Sequence, residues 1–193
     1  REYYAIITHM DDQIGRILDK LEETGQADNT YIFFTADHGL SVGHHGFIGK
    51  QNMYEHSLRP PLLVVGPDIP KGKKIDSRVY LQDVMPTTLE LAGIAKPEYV
   101  EFQSLMPLVE GKKDKQYDYI YGAYEPGSQR ALISQGYKMI FYPTIEKYRL
   151  YNLDADPMEM NDLADDPKYK GRLERMISEF IWVQGRMADP LKG

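Results

Sequence analysis

Cysteine is missing from all 193 residues, which removes disulfides, thiolate metal sites and a cysteine nucleophile from this chain. No apolar run approaches the roughly 20 residues that a membrane-crossing helix needs, and the opening REYYAIITHMDDQIGRIL is charged and amphipathic rather than signal-like. Basic blocks are scarce: Lys71, Lys73 and Lys74, and then Lys112, Lys113 and Lys115, sit among Gly and Asp in a chain of net charge −6. Nucleic acid is therefore set aside as a partner. Internal repeats and low-complexity tracts are absent as well. What is present is a globular composition, 42% hydrophobic and 27% charged, in a length that can enclose a substantial core.

Hydrophobic spacing divides the chain into two styles. Tyr3, Ile6, Ile7, Met10, Ile14, Ile17, Leu18 and Leu21 recur at helical steps, and Gly25 supplies a stop. Tyr31 to Phe34 and Leu62 to Val65 read as buried strands, and DVMPTTLELAG reads as a short helix with Asp83 able to cap, Pro86 in the first turn and Gly93 closing. Helix, strand, loop, strand, helix is the order of a layered α/β sheet. After about residue 116 the runs YIYG, RALIS, YKMIF and YRLYNL are short and aromatic, as in an antiparallel meander, with Gln135 and Gly136 as a tight turn. Helical spacing returns from Asp166 to Met187. The expected fold class is α/β: residues 1–115 form part of a layered sheet with helices, and residues 116–193 form a small antiparallel sheet packed with a C-terminal helix.

The stretch FFTADHGLSVGHHGFIGK, Phe33 to Lys50, concentrates the chemistry. Asp37 lies just past the carboxyl end of a strand, the edge at which ligands collect in sheets of parallel strands. Asp37 and His38 are adjacent and Gly39 frees the turn, so a carboxylate and an imidazole can address one point, a donor pair suited to Ca²⁺, Mg²⁺, Mn²⁺ or Zn²⁺. Lys50 follows thirteen positions after Asp37. A cation beside an ammonium stabilises an anion, so an anionic ester is the guest this pairing suits. His44 and His45 stand among Gly43, Gly46 and Gly49, whereas His9 and His56 read as packing or surface residues. Tyr119 to Tyr124 and Tyr142 read as packing of the small sheet, with a pocket wall as the alternative.

The residues ADHG (36–39), GHHGFIGK (43–50), YEHSLRPPLLVVGP (54–67), DVMPTTLELAGI (83–94) and LYNLDADPMEMNDLADDP (150–167) resemble the carboxyl-terminal part of a type I, formylglycine-dependent sulfatase of the alkaline phosphatase superfamily. Met10 to Thr35 resembles the helix and strand that lead to that family's metal site, so the likeness covers nearly the whole chain in order. It implies an alkaline-phosphatase-like sheet and a sulfuric ester hydrolase. By resemblance, Asp37 and His38 bind the metal, a divalent cation such as Ca²⁺ with Mg²⁺ or Mn²⁺ as alternatives. Lys50 binds the sulfate and serves catalysis, and His45 lies near substrate. Arg59 is read as structural, packing its loop through hydrogen bonds.

The family's nucleophile is a formylglycine made from a Cys or Ser in a Cys/Ser-x-Pro/Ala-x-Arg motif, and no such motif occurs here. The implied reading is a fragment carrying half of the metal site, inactive alone, whose partner is the missing N-terminal half of the same protein, with an exposed apolar face where that half would pack. The substrate implied is a small-molecule or carbohydrate sulfate ester, and the family implies export. Two alternatives stand beside this: a phosphoryl or phosphonate ester hydrolase of the same superfamily, and a non-catalytic module that kept the scaffold.

Overall fold

The computed structural model describes residues 1–125 and 127–191, and they form two compact units. The first comprises Arg1–Thr35 and Pro61–Lys74. Its helix α1 spans Glu2–Glu23, two residues beyond the last periodic Leu21, and ends at Thr24, whose backbone N–H returns to Lys20. Strand β1, Ile32–Thr35, and strand β4, Leu62–Val65, pair antiparallel with Phe34 opposite Leu63. None of α1 is buried, and Tyr3, Ile6, Ile17, Leu63 and Val65 stand exposed although their spacing is that of a core. Period encodes which face is apolar, but not what covers it.

The second unit comprises Ala36–Pro60 and the chain from Ile75 onward. Two short strands, β2 (Ser41–Val42) and β3 (Ile48–Gly49), form a hairpin, and the four-residue helix α2 covers Glu55–Leu58. Helix α3, Val84–Leu91, follows a single 3₁₀ turn. Asp83, fully buried, accepts bonds from the backbone N–H of Tyr80 at 2.9 Å and of Gln103 at 3.1 Å and from the Tyr117 hydroxyl. Its carboxylate therefore clamps three segments, where the sequence suggested only a cap. Helix α4 is the single turn Met106–Val109.

Strands β5 (Tyr119–Tyr124), β6 (Gln129–Ser134), β7 (Tyr137–Tyr142) and β8 (Lys147–Asn152) form an antiparallel meander in sequence order. Gln135 and Gly136 both adopt positive φ, 48° and 78°, as a two-residue turn matched to strand twist requires. Alternate residues face opposite sides. Ala131, Ile133, Ile140 and Tyr151 pack with Met53 and Tyr54 on one face, while Leu132, Met139 and Leu150 pack with Met176, Phe180 and Val183 of helix α5, Lys170–Arg186, on the other. Tyr119, Tyr121 and Tyr142 pack against these same clusters. Burial on both faces is what makes this small sheet a core. Among the described residues no helix is long and apolar enough to cross a membrane.

Candidate metal and ester-binding site

Asp37, His38 and Lys50 come together. The Asp37 Oδ1 accepts the backbone N–H of His38 at 3.0 Å, and its Oδ2 lies 3.1 Å from His38 Nε2. His38 Nδ1 is 2.9 Å from the carbonyl oxygen of Gly39. A carbonyl only accepts, so Nδ1 carries the proton and Nε2 presents its lone pair. The Lys50 ammonium donates to that lone pair at 2.5 Å. Two acceptor atoms, Asp37 Oδ2 and His38 Nε2, therefore face each other at 3.1 Å, an arrangement that calls for positive charge between or beside them. Lys50 supplies it here. The Asp37 side chain is 80% exposed, and exposed ion pairs contribute little stability, so packing does not explain the grouping.

The same geometry fits a hard divalent cation: one carboxylate oxygen and one imidazole nitrogen, with the imidazole tautomer fixed by a carbonyl behind it. Among the described residues no group of three or more His, Asp or Glu side chains could hold a metal ion. Asp37 and His38 by themselves offer two protein donors, fewer than the roughly six to eight oxygen-type ligands that Ca²⁺ takes.

Local backbone explains how the loop reaches this shape. The buried Ser41 hydroxyl donates to the carbonyls of His44 at 2.9 Å and Phe47 at 3.0 Å, and Gly43, at φ 108°, donates its N–H to Phe47. This reversal returns the chain to β3 and delivers Lys50 next to His38. His45 sits at φ 53°, a conformation costly for a non-glycine residue, and stacks on Tyr54 with centroids 4.1 Å apart. His56 is half-buried beside His44 and His45. Burial first, then the neighbouring His45, His44 and Lys138, lower its pKa to about 4, so it stays neutral near pH 7.

Residues outside the Phe33 to Lys50 stretch hold this site from behind. Gly39 N–H donates to the Ser57 carbonyl at 2.9 Å, and a side chain at Gly39 would strike the His56 carbonyl. Arg59 is not the loop's anchor: its guanidinium is largely exposed and approaches Glu55 only to 3.8 Å. Glu55 instead meets the fully buried Lys138 at 2.7 Å, and Lys138 meets Glu159 at 2.8 Å. No local pattern marks these partners, because 104 positions separate Glu55 from Glu159.

Residues 43–184 match the family described as N-sulphoglucosamine sulphohydrolase, C-terminal. The chain belongs to the sulfatases. An arylsulfatase of Clostridium perfringens is 36% identical over 178 residues, covering 89% of this chain and 37% of the relative. An N-acetylglucosamine-6-O-sulfatase of Bacteroides thetaiotaomicron is 32% identical over 201 residues, covering 98% of this chain and 36% of the relative. Among solved structures, a protein in complex with its substrate D-glucosamine-2-N,6-O-disulfate superposes with a TM-score of 0.87 at 28% identity, over 95% of this chain and 40% of that one. The phosphonate monoester hydrolase of Agrobacterium radiobacter, at TM-score 0.83 and 23% identity, shares the architecture. This sulfatase chain thus has the alkaline-phosphatase-like fold of the carboxyl-terminal part of such enzymes, and it spans about two fifths of the length of these relatives.

Proposed function

We propose that this chain forms one side of the active site of a sulfuric ester hydrolase, with Asp37 and His38 as two ligands of a divalent cation, Ca²⁺ in the first instance, and Lys50 as the group that binds the sulfate ester oxygens. The observation that carries this reading is the meeting of Asp37 Oδ2, His38 Nε2 and Lys50 Nζ at one exposed point.

When bound, the cation supplies Lewis-acid polarisation of the ester and holds the attacking group in place. The residues of this chain do the rest of what is proposed here. Gly39 O holds the His38 proton on Nδ1, so Nε2 is the ring atom that would ligate the cation. The exposed Lys50 ammonium, next to His38 Nε2, would turn to the ester oxygens and offset the negative charge that builds on the departing alkoxide. His45, held at its strained φ by Tyr54 stacking, borders the alcohol portion of the ester. Hydrolysis adds the elements of water across the S–O bond, yielding an alcohol and sulfate.

The nucleophile and the remaining cation ligands belong to the part of the enzyme that this chain does not span, where a formylglycine is expected. The exposed apolar side chains of α1 and β4 are read as the surface which that part covers in the first unit. Export of the parent enzyme is part of the same proposal. The substrate is a sulfated carbohydrate or small molecule, in keeping with the relatives' activities.

The test uses the full-length protein. Asp37→Ala should lose its divalent cation on dialysis, and the parent should release sulfate from an aryl or sugar sulfate with a far higher kcat/KM than it shows for a phosphonate monoester. Preference for the phosphonate would place the enzyme with the phosphonate hydrolases of the same superfamily instead. Absence of both activities in a cation-loaded, folded protein would favour a non-catalytic module.

A further inference from the structure

We propose that Glu159 is a positioning residue for the cation site: from the closing segment of the chain it caps the first backbone N–H of α2 and thereby holds the turn that carries Asp37 and His38. The inference rests on the reading that Asp37 and His38 bind the cation.

The connection runs through a short series of contacts. Glu159, buried and at φ 57°, accepts the backbone N–H of Glu55 through Oε2 at 2.7 Å. Its Oε1 lies 2.8 Å from the fully buried Lys138, which also meets Glu55 Oε1 at 2.7 Å. The backbone of α2 then receives Gly39: the Ser57 carbonyl accepts the Gly39 N–H, and the His56 carbonyl stands where any Gly39 side chain would fall. Gly39 in turn offers the carbonyl that fixes the His38 tautomer. A four-residue helix has almost no stability of its own, so α2 keeps its place only through such outside bonds. A positive φ at a non-glycine residue persists only where surrounding structure enforces it, and Glu159 sits in a turn whose own N–H bonds back to the Asp156 carbonyl at 3.0 Å.

The charge of Glu159 is the lesser part of this role. Two carboxylates share one ammonium, so a neutral side chain at 159 still leaves Lys138 paired with Glu55. Burial also pushes the Glu159 carboxyl upward, against the pull of Lys138. Reach and charge can therefore be separated. Glu159→Gln keeps the chain length and an acceptor oxygen for Glu55 N–H, drops the charge, and turns its amide nitrogen toward Lys138, which keeps Glu55 Oε1 as its acceptor. Glu159→Asp keeps the charge but falls short by one methylene.

Both variants, made in the full-length protein, are titrated with Ca²⁺ alone at a temperature where circular dichroism shows them folded. Glu159→Asp should bind Ca²⁺ about tenfold or more weakly, the scale of lost support behind a metal ligand, and Glu159→Gln should stay within about threefold of the parent. Parental affinity in both, or the reverse ranking, overturns the proposal and leaves Glu55, Lys138 and Glu159 as packing alone. A second readout needs no cation: ¹⁵N spectra of the His38 imidazole, assigned with His38→Asn, should keep the Nδ1–H form in Glu159→Gln and lose it in Glu159→Asp. If the parent binds no Ca²⁺, the site reading fails while these spectra still decide whether Glu159 orients His38.

Discussion

Gly39 is pressed against His56: its N–H reaches the next carbonyl, that of Ser57, at 2.9 Å, and its Cα faces the His56 carbonyl with no room for a methyl group. Gly39→Ala should therefore push the Asp37 to Gly39 turn off α2. Expected outcomes are a lower melting temperature, equivalent to about 1–3 kcal/mol for overpacking, and loss of bound cation after dialysis. Metal analysis of the purified variant against the parent checks the second point; an unchanged cation content would show that the turn tolerates displacement.

Lys50 carries no packing role, since its side chain is exposed and its partner is the imidazole of His38. Lys50→Ala in the full-length enzyme should lower kcat on a sulfate ester by about 10²-fold or more, the scale of losing one charged transition-state contact, and leave the melting temperature within about a degree. Unaltered kinetics would remove Lys50 from the reaction.

Acid should weaken the second unit at its C-terminal end. Arg130 binds Asp189 through Nε at 2.6 Å and through a second nitrogen at 3.0 Å, and Tyr121 donates to the same carboxylate. The hydrogen bonds from Arg130, outweighing the upward push of burial and aided by Tyr121 and the Leu191 N–H, hold the Asp189 carboxyl at about 2 against an ordinary 3.8. A depressed folded-state pKa contributes stability that is complete above the ordinary value and lost as pH falls from about 3.8 to about 2. Asp189→Asn should cost roughly 2 kcal/mol at pH 5 and flatten the loss of stability below pH 4, as followed by urea unfolding at several pH values.

Asp83 satisfies two backbone N–H groups and the Tyr117 hydroxyl from a fully buried position. Asp83→Ala leaves these donors without their acceptor, at a cost of about 3 kcal/mol or more. Tyr117→Phe removes a single bond and should cost about 1–2 kcal/mol. Thermal melts of the two variants should rank in that order.

Much of the architecture was legible in residue spacing. The helical steps from Tyr3 to Leu21 and from Tyr169 to Ile181, the strands at 31–34 and 62–65, and the hairpin at Gln135 and Gly136 all appear within a few residues of their expected bounds. These are local matters, since a side chain's direction repeats every two or 3.6 residues whatever lies across from it. The pairing sense of β1 and β4 was not legible, because an antiparallel and a parallel partner bury the same apolar residues.

By itself, then, the sequence marked Asp37, His38 and Lys50 as the candidates, through their types, their glycine-rich setting and their likeness to one enzyme family. The tertiary structure alone decided that the Lys50 ammonium rests on the His38 lone pair, that α2 backs Gly39, and that Glu159 secures α2 from 104 positions away. It also decided that Arg59, for all its place in a recognisable motif, faces solvent. The physical reason is that composition and period constrain neighbours along the chain. A hydrogen bond between remote segments exists only after the intervening chain has packed, and no local pattern records its partner.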